Sequence, residues 1–288
     1  MQFISLFLAI DAMVGGTLMM GNQPVGANIT FYNSGATMTT AADAEGKYSL
    51  SLLQPGNYDV KVERTVNGRK KTLVFNGLTL VDGSQTIDLY WPSVETAESR
   101  STLVRQHFDA GRTAYSAGRY SDAVTHYMDA LREDTSQDAV WSAMAQAQAM
   151  GGNFEAAERS FAAARAWGAG SATASNLAYA YHKAGRFEEA GAKYEMAATM
   201  DPSKASTYHA NAGAAYLAGR MNAKAEAAYK SAANASGAAS TSWYFWGVCA
   251  QGNNNNADAL TALRGYLQAD PNGRYAADAR QRISAMGG

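Results

Sequence analysis

Four histidines, one cysteine and a few adjacent carboxylates are the side chains of this 288-residue sequence whose chemistry could support metal binding, nucleophilic attack or proton transfer. His107, His126, His182 and His209 lack the i, i+4 spacing that sets two imidazoles on one helix face around a zinc ion. Cys249 stands between Val248 and Ala250, the setting of a small packing residue rather than an activated thiol. Glu188 and Glu189 fall where a helix begins, and acids there complement the helix dipole. The sequence carries no phosphate-cradling glycine loop, nucleophile elbow or zincin motif. A single cysteine rules out an internal disulfide framework and a cysteine-rich metal site. The expectation is a non-enzymatic protein with no cofactor and no metal.

The elements that carry these side chains change along the chain. Net charge is −1, which excludes a nucleic-acid binder held by a broad basic surface. The apolar fraction of 47% argues against disorder, and the length allows two or three domains. Charged residues are only 17%, against an average near 25%. Alanine is very uneven, with 8 before residue 98 and 50 from there on. Alanine is the strongest helix former, so the first third is expected to be β and the remainder α. The join is placed at Trp91-Pro92-Ser93, because a proline drives the residue before it out of the α region.

In the β third, Tyr48, Leu50 and Leu52 alternate with Lys47, Ser49 and Ser51, and Tyr58, Val60 and Val62 alternate with Asp59 and Lys61. That is the period of a half-buried strand, twice. Further strands are expected at 12–20, 27–32, 72–80 and 85–90. Gly46 can supply a positive φ, Pro55-Gly56 reads as a type II turn, and Asn67-Gly68 and Asp82-Gly83 read as hairpin turns. Six or seven short strands suggest a small sandwich. Pro24-Val-Gly26 after Gly15, then Asp43-x-x-Gly46-x-Tyr48-x-Leu50, then Leu53-x-Pro55-Gly56-x-Tyr58-x-Val60 resemble the carboxypeptidase regulatory-like family. The resemblance covers about residues 12–90. It implies a non-catalytic, transthyretin-like sandwich of a mostly extracytoplasmic kind. Related pilin-like sandwiches form Lys–Asn isopeptide bonds from a first-strand Lys, and residues 12–20 have none.

In the α part, Gly118, Tyr120, Ala123, Tyr127 and Ala130 recur as Gly152, Phe154, Ala157, Phe161 and Ala164, then as Gly185, Phe187, Ala190, Tyr194 and Ala197. Copies follow at Gly219, Ala225, Tyr229 and Ala232, and at Trp243, Gly247, Ala259 and Leu263. A self-similar period of this size signals a helical solenoid. The pattern resembles the tetratricopeptide repeat, with repeats at about 104–137, 138–170, 171–204, 205–238 and 240–272. Asp201-Pro202 and Asp270-Pro271 stop the second helices. An amphipathic helix at 274–286 would cap the open end. Two departures stand out: repeat four has Asn211 at a position usually Leu and one extra residue in its turn, and repeat five turns through four asparagines, 253–256.

The resemblance implies a partner groove lined by the first helices. Carried over, its positions are Phe108, Arg112, Tyr115, Ser142, Gln146, Tyr179, His182, Lys183, His209, Tyr216 and Tyr244. Aromatics with few charges suit a peptide or glycan; the plainer alternative is that several of these rings pack between helices. The Lys and Asn of a chaperone-tail clamp are missing at Ser142, Gln146, Tyr179 and His209.

The first ten residues are apolar, through Phe3, Ile4, Leu6, Phe7, Leu8 and Ile10, and too short to span a bilayer. No Lys or Arg precedes residue 47, unlike a signal peptide's basic start. The segment is an extra strand, a signal remnant, or a strand donated to a neighbouring subunit. Asn28 and Asn234 open glycosylation sequons.

The expected fold is multidomain β + α. It runs as an apolar segment at 1–10, a small antiparallel β-sandwich at 11–92 and, at 93–103, a linker that extends the first helix backwards. An all-α solenoid of five repeats at 104–273 and a C-terminal capping helix and tail at 274–288 complete it. The expected function is an extracytoplasmic structural protein, self-assembling into a filament or tube through sandwich and repeat contacts. The alternative is a monomeric periplasmic or surface scaffold that binds another protein or peptide in the groove. Neither a nucleic acid nor a membrane span is expected.

Overall fold

The computed structural model describes residues 12–20, 23–66, 69–92 and 97–288. The apolar segment with Phe3, Ile4, Leu6, Phe7, Leu8 and Ile10, and the Asn67-Gly68 turn, lie outside the described residues. The chain divides into two compact units, one ending at Ala169 and one running from Gly170 to Gly288.

The first unit opens with two sheets. Strand β1 (Ala12–Met20) is the hub of the first, pairing antiparallel with β2 (Gln23–Pro24) and β5 (Lys47–Leu53). Its other side runs parallel to β8 (Ser84–Thr86) and then β9 (Leu89–Trp91). One strand was expected at 85–90; it divides at Ile87-Asp88, where the Ile87 N–H donates to the Gly15 carbonyl. The second sheet is antiparallel throughout, in the order β4 (Thr37–Ala42), β3 (Ala27–Tyr32), β6 (Gly56–Val66), β7 (Arg69–Leu80). Burial follows the alternation: Tyr58, Val60 and Val62 are buried while Asp59 and Lys61 are half-exposed. Ile29 and Phe31 from β3 share one apolar core with Leu18 and Tyr48 of the first sheet, and the Phe31 and Tyr48 rings lie 6.3 Å apart. Gly46 takes φ +70 as its turn requires. Gly56 sits at φ +155, far from the value near +80 that a type II turn needs, so Pro55-Gly56 opens β6 by another geometry.

Two helical pairs complete this unit: α1 (Ala97–Ser116) with α2 (Tyr120–Glu133), and α3 (Asp138–Met150) with α4 (Phe154–Ala166). Gly111 is what lets α1 approach α2, since a Cβ there would come within 2.4 Å of the Tyr127 ring. Thr135, in the connection from α2 to α3, is fully buried; its hydroxyl donates to the Asp88 carbonyl at 2.8 Å, and its own carbonyl accepts from the Trp141 indole at 2.7 Å.

The second unit holds three further pairs: α5 (Ser171–Lys183) with α6 (Phe187–Met200), α7 (Ala205–Ala218) with α8 (Asn222–Asn234), and α9 (Ser240–Gly252) with α10 (Asn256–Ala269). A last helix, α11 (Ala276–Ala285), packs on α10. It buries Ala276 and Ala279 with Tyr244, Leu263 and Tyr266, which closes the apolar end of the final pair.

The turn inside every pair has the same hydrogen bonds, and its left-handed residue is Gly118, Gly152, Gly185, Arg220 or Asn254. Repeat four therefore has no longer turn. Its extra residue falls between Ala197 and Gly213, where the 3-10 turn Pro202–Lys204 joins α6 to α7. The same shift leaves Asn211 exposed and puts Ala212 in the buried place expected for Leu. Arg220 holds φ 60 without the freedom of glycine. Arg220→Gly is expected to stabilise the second unit by about 0.5–1 kcal/mol, read as a higher urea midpoint; an unchanged or lower midpoint counts against stored strain there.

Candidate interaction surface

The expected groove residues split into exposed and packed groups. In the first unit Phe108 is half-buried with its ring 5.7 Å from Tyr127, and Tyr115 lies 5.4 Å from Tyr120. Arg112 is exposed, in a loose 4.0 Å ion pair with Asp109, and Gln146 is half-buried on α3. Burial pushes the Tyr127 hydroxyl up to about 12, so it stays protonated.

In the second unit Tyr179 is 47% exposed, with the Lys183 ammonium 5.4 Å from its ring centre. His182, between them in sequence, sets its ring edge-on to Phe187 at 5.2 Å. His209 keeps a buried Nδ1 without a hydrogen-bond partner. Tyr216 and Tyr244 are packing residues. A Cβ on Gly191 would sit 2.3 Å from the Tyr216 ring, and the Tyr216 hydroxyl donates to Glu195 at 3.1 Å. Burial first, then Glu195, raises that hydroxyl far above its ordinary value. Tyr244 stacks on Tyr275 at 4.1 Å and donates to Asp278 at 2.8 Å. Of the expected groove rings, Tyr179 is the exposed one, while Tyr216 and Tyr244 hold neighbouring elements together.

The reactive side chains are engaged structurally. Glu188 pairs with Lys224 at 2.6 Å and Glu189 with Arg186. Cys249 is 3% exposed, and burial, with Glu226 adding to it, pushes its thiol up to about 11. At pH 8 the native thiol is therefore expected to react with a disulfide reagent roughly a hundredfold more slowly than in denaturant; equal rates would show an open site. Asn28 is exposed on β3, and Asn234 is exposed at the end of α8 with its amide donating to the Lys230 carbonyl.

Spacing along one helix does not capture the remaining histidines. His107 of α1 meets His126 and Asp129 of α2, with one ligand atom from each inside 4.8 Å of the others. The i, i+4 rule covers a single helix and says nothing of ligands brought together by an antiparallel pair.

The Tetratricopeptide repeat family matches residues 114–178. Among solved structures, MamA protein is 14% identical with a TM-score of 0.44, covering 59% of this chain and 93% of that one. YrrB, described as a TPR protein with an unusual peptide-binding site, is 15% identical with a TM-score of 0.43, over 65% and 100% of the two chains. PilF of Pseudomonas aeruginosa is 16% identical with a TM-score of 0.41, over 66% and 90%. No curated protein sequence matches the chain. The helix pairs with their small-residue contacts form a solenoid of the tetratricopeptide type, and the family match falls within it. No described helix is long and apolar enough to cross a membrane.

Proposed function

We propose that this is a non-enzymatic, extracytoplasmic structural protein that assembles with further copies of itself into a filament or tube. The observation that carries the reading is where apolar side chains stay open. Among the described residues, four of the five exposed large ones, Met13, Met20, Val74 and Val81, belong to the β region. Val74 lies on β7, a twelve-residue strand at one end of its sheet among the described strands. A strand end of that length accepts an added strand through main-chain hydrogen bonds. The apolar residues Phe3, Ile4, Leu6, Phe7, Leu8 and Ile10 of a neighbouring copy have the composition of such a strand. The β region would act as a transthyretin-like sandwich of the carboxypeptidase regulatory-like kind. A contact of this sort does not close on itself, so it propagates. A net charge of −1 offers little self-repulsion against association.

Size exclusion with light scattering and negative-stain microscopy of the full chain test this. Polymers that vanish when residues 1–10 are deleted are the expected result. Discrete monomers of 30.5 kDa sink the assembly reading.

The second reading, a monomeric scaffold that captures a peptide, is favoured by the exposed Tyr179 beside Lys183. An exposed aromatic ring with an ammonium over one face suits an extended peptide carrying an acidic group. Tyr179→Ala then weakens capture of that peptide while leaving the helix signal intact.

A further inference from the structure

We propose that His107, His126 and Asp129 form a binding site for a divalent transition ion of the zinc class, bridging α1 and α2. His126 and Asp129 stand at i and i+3 on α2, a spacing that points both side chains from one helix face. His107 comes from the antiparallel α1, and one donor atom from each of the three falls inside 4.8 Å of the other two. All three side chains are half-buried, so a bound ion is partly sheltered yet reachable from solvent.

The surrounding packing fixes this meeting. Phe108 and Tyr127, the chain neighbours of His107 and His126, hold their rings 5.7 Å apart, and Gly111 lets Tyr127 lie directly on α1. The backbones beside the two histidines are therefore held at one height along the pair. Asp129 is oriented as well, because the Arg132 guanidinium donates to its Oδ1. That bond keeps the carboxylate in place and leaves Oδ2 outside it, the arrangement in which a ligating carboxylate has its own outer partner.

Two imidazoles and one carboxylate are the donors of open zinc sites, in which a fourth position is left to water or to an incoming group. The chemistry favours zinc, nickel or copper over calcium and magnesium, which prefer all-oxygen sets. Closing the three donors onto one ion draws α1 and α2 together and staples the first helical pair.

The experiment is calorimetric titration of zinc chloride into the full chain at pH 7.5, with thermal unfolding alongside. One equivalent binds, and the melting temperature rises. His107→Ala and His126→Ala each weaken binding at least tenfold and abolish the thermal shift, while His182→Ala changes neither. Lowering the pH to 5.5 weakens binding, because protons compete with the metal for its ligands. Circular dichroism establishes that the variants fold; if one does not, the other, on a different helix, decides the matter. Absence of saturable binding, or binding that survives both substitutions, overturns the site.

Discussion

Trp141→Ala is expected to destabilise the unit ending at Ala169 by about 4 kcal/mol. The indole is buried, and it terminates a chain of hydrogen bonds that links a helix to a sheet. Its Nε1–H donates to the Thr135 carbonyl at 2.7 Å, and the Thr135 hydroxyl donates to the Asp88 carbonyl at 2.8 Å. The Asp88 carboxylate in turn accepts from the Thr17 N–H at 2.9 Å and the Thr17 hydroxyl at 2.7 Å. Truncation removes a large apolar side chain and leaves the Thr135 carbonyl without that donor. It also widens an existing cavity of about 240 Å³ lined by Asp88, Tyr90, Met128, Trp141, Met144 and Ser160. Collapse around the loss is hindered because β9 holds one wall of that space. Urea unfolding reads the free energy, and hydrogen exchange reads its spread. The Thr17 amide on β1 should lose protection together with α3. A loss below 1 kcal/mol, or exchange confined to the helices, would falsify the link. Trp141→Phe, which keeps most of the volume, should cost roughly half as much.

Gly16→Ala is expected to cost about 3 kcal/mol, at the upper end of what overpacking produces. A Cβ at Gly16 would sit 2.1 Å from the Ile87 carbonyl oxygen and 2.7 Å from its carbon. Both are backbone atoms between β8 and β9, so no side chain can rotate aside to make room. The strands must separate, and the hydrogen bond from the Ile87 N–H to the Gly15 carbonyl at 2.8 Å goes with them. Gly26→Ala is the control, since its nearest neighbour, the Ala42 carbonyl oxygen, would be 3.5 Å away in ordinary contact. A melting temperature lowered by about 6–12 °C for Gly16→Ala, with little change for Gly26→Ala, is the expected pair of results. Equal shifts would show that the close approach of β1 to Ile87 does not matter.

The helical part was legible because its signals are local. Glycine in the turn, an aromatic opening the second helix and a small residue at the crossing each serve a contact within one helical pair. The β region was less so. Strand β4 escaped notice because Thr37, Thr39 and Thr40 offer no apolar alternation; it is tied in by the Thr30–Thr39 hydroxyl contact at 3.0 Å and by the Thr40 hydroxyl donating to the Ser49 carbonyl. The parallel seats of β8 and β9 on β1 depend on partners far away in sequence, which no short window contains. The same limit hid the meeting of His107 with His126. Exposure was the hardest quantity to read. Tyr179, Tyr216 and Tyr244 are alike in sequence, and only packing separates the open ring from the two enclosed ones.

The hub position of β1 also has a kinetic consequence. Its partners β8 and β9 lie some seventy residues downstream, whereas every helical pair closes over a short stretch of chain. Contacts so distant in sequence are slow to form, so the helical pairs should gain structure well before the first sheet is complete. On a ribosome, β1 emerges early and must wait until Trp91 has followed it. During that interval β1 can pair only with β2 and β5, and its side facing β8 and β9 stays open. The order of synthesis thus leaves one side of the first strand open until β8 and β9 arrive, and that side is where a chaperone or a premature neighbour would act.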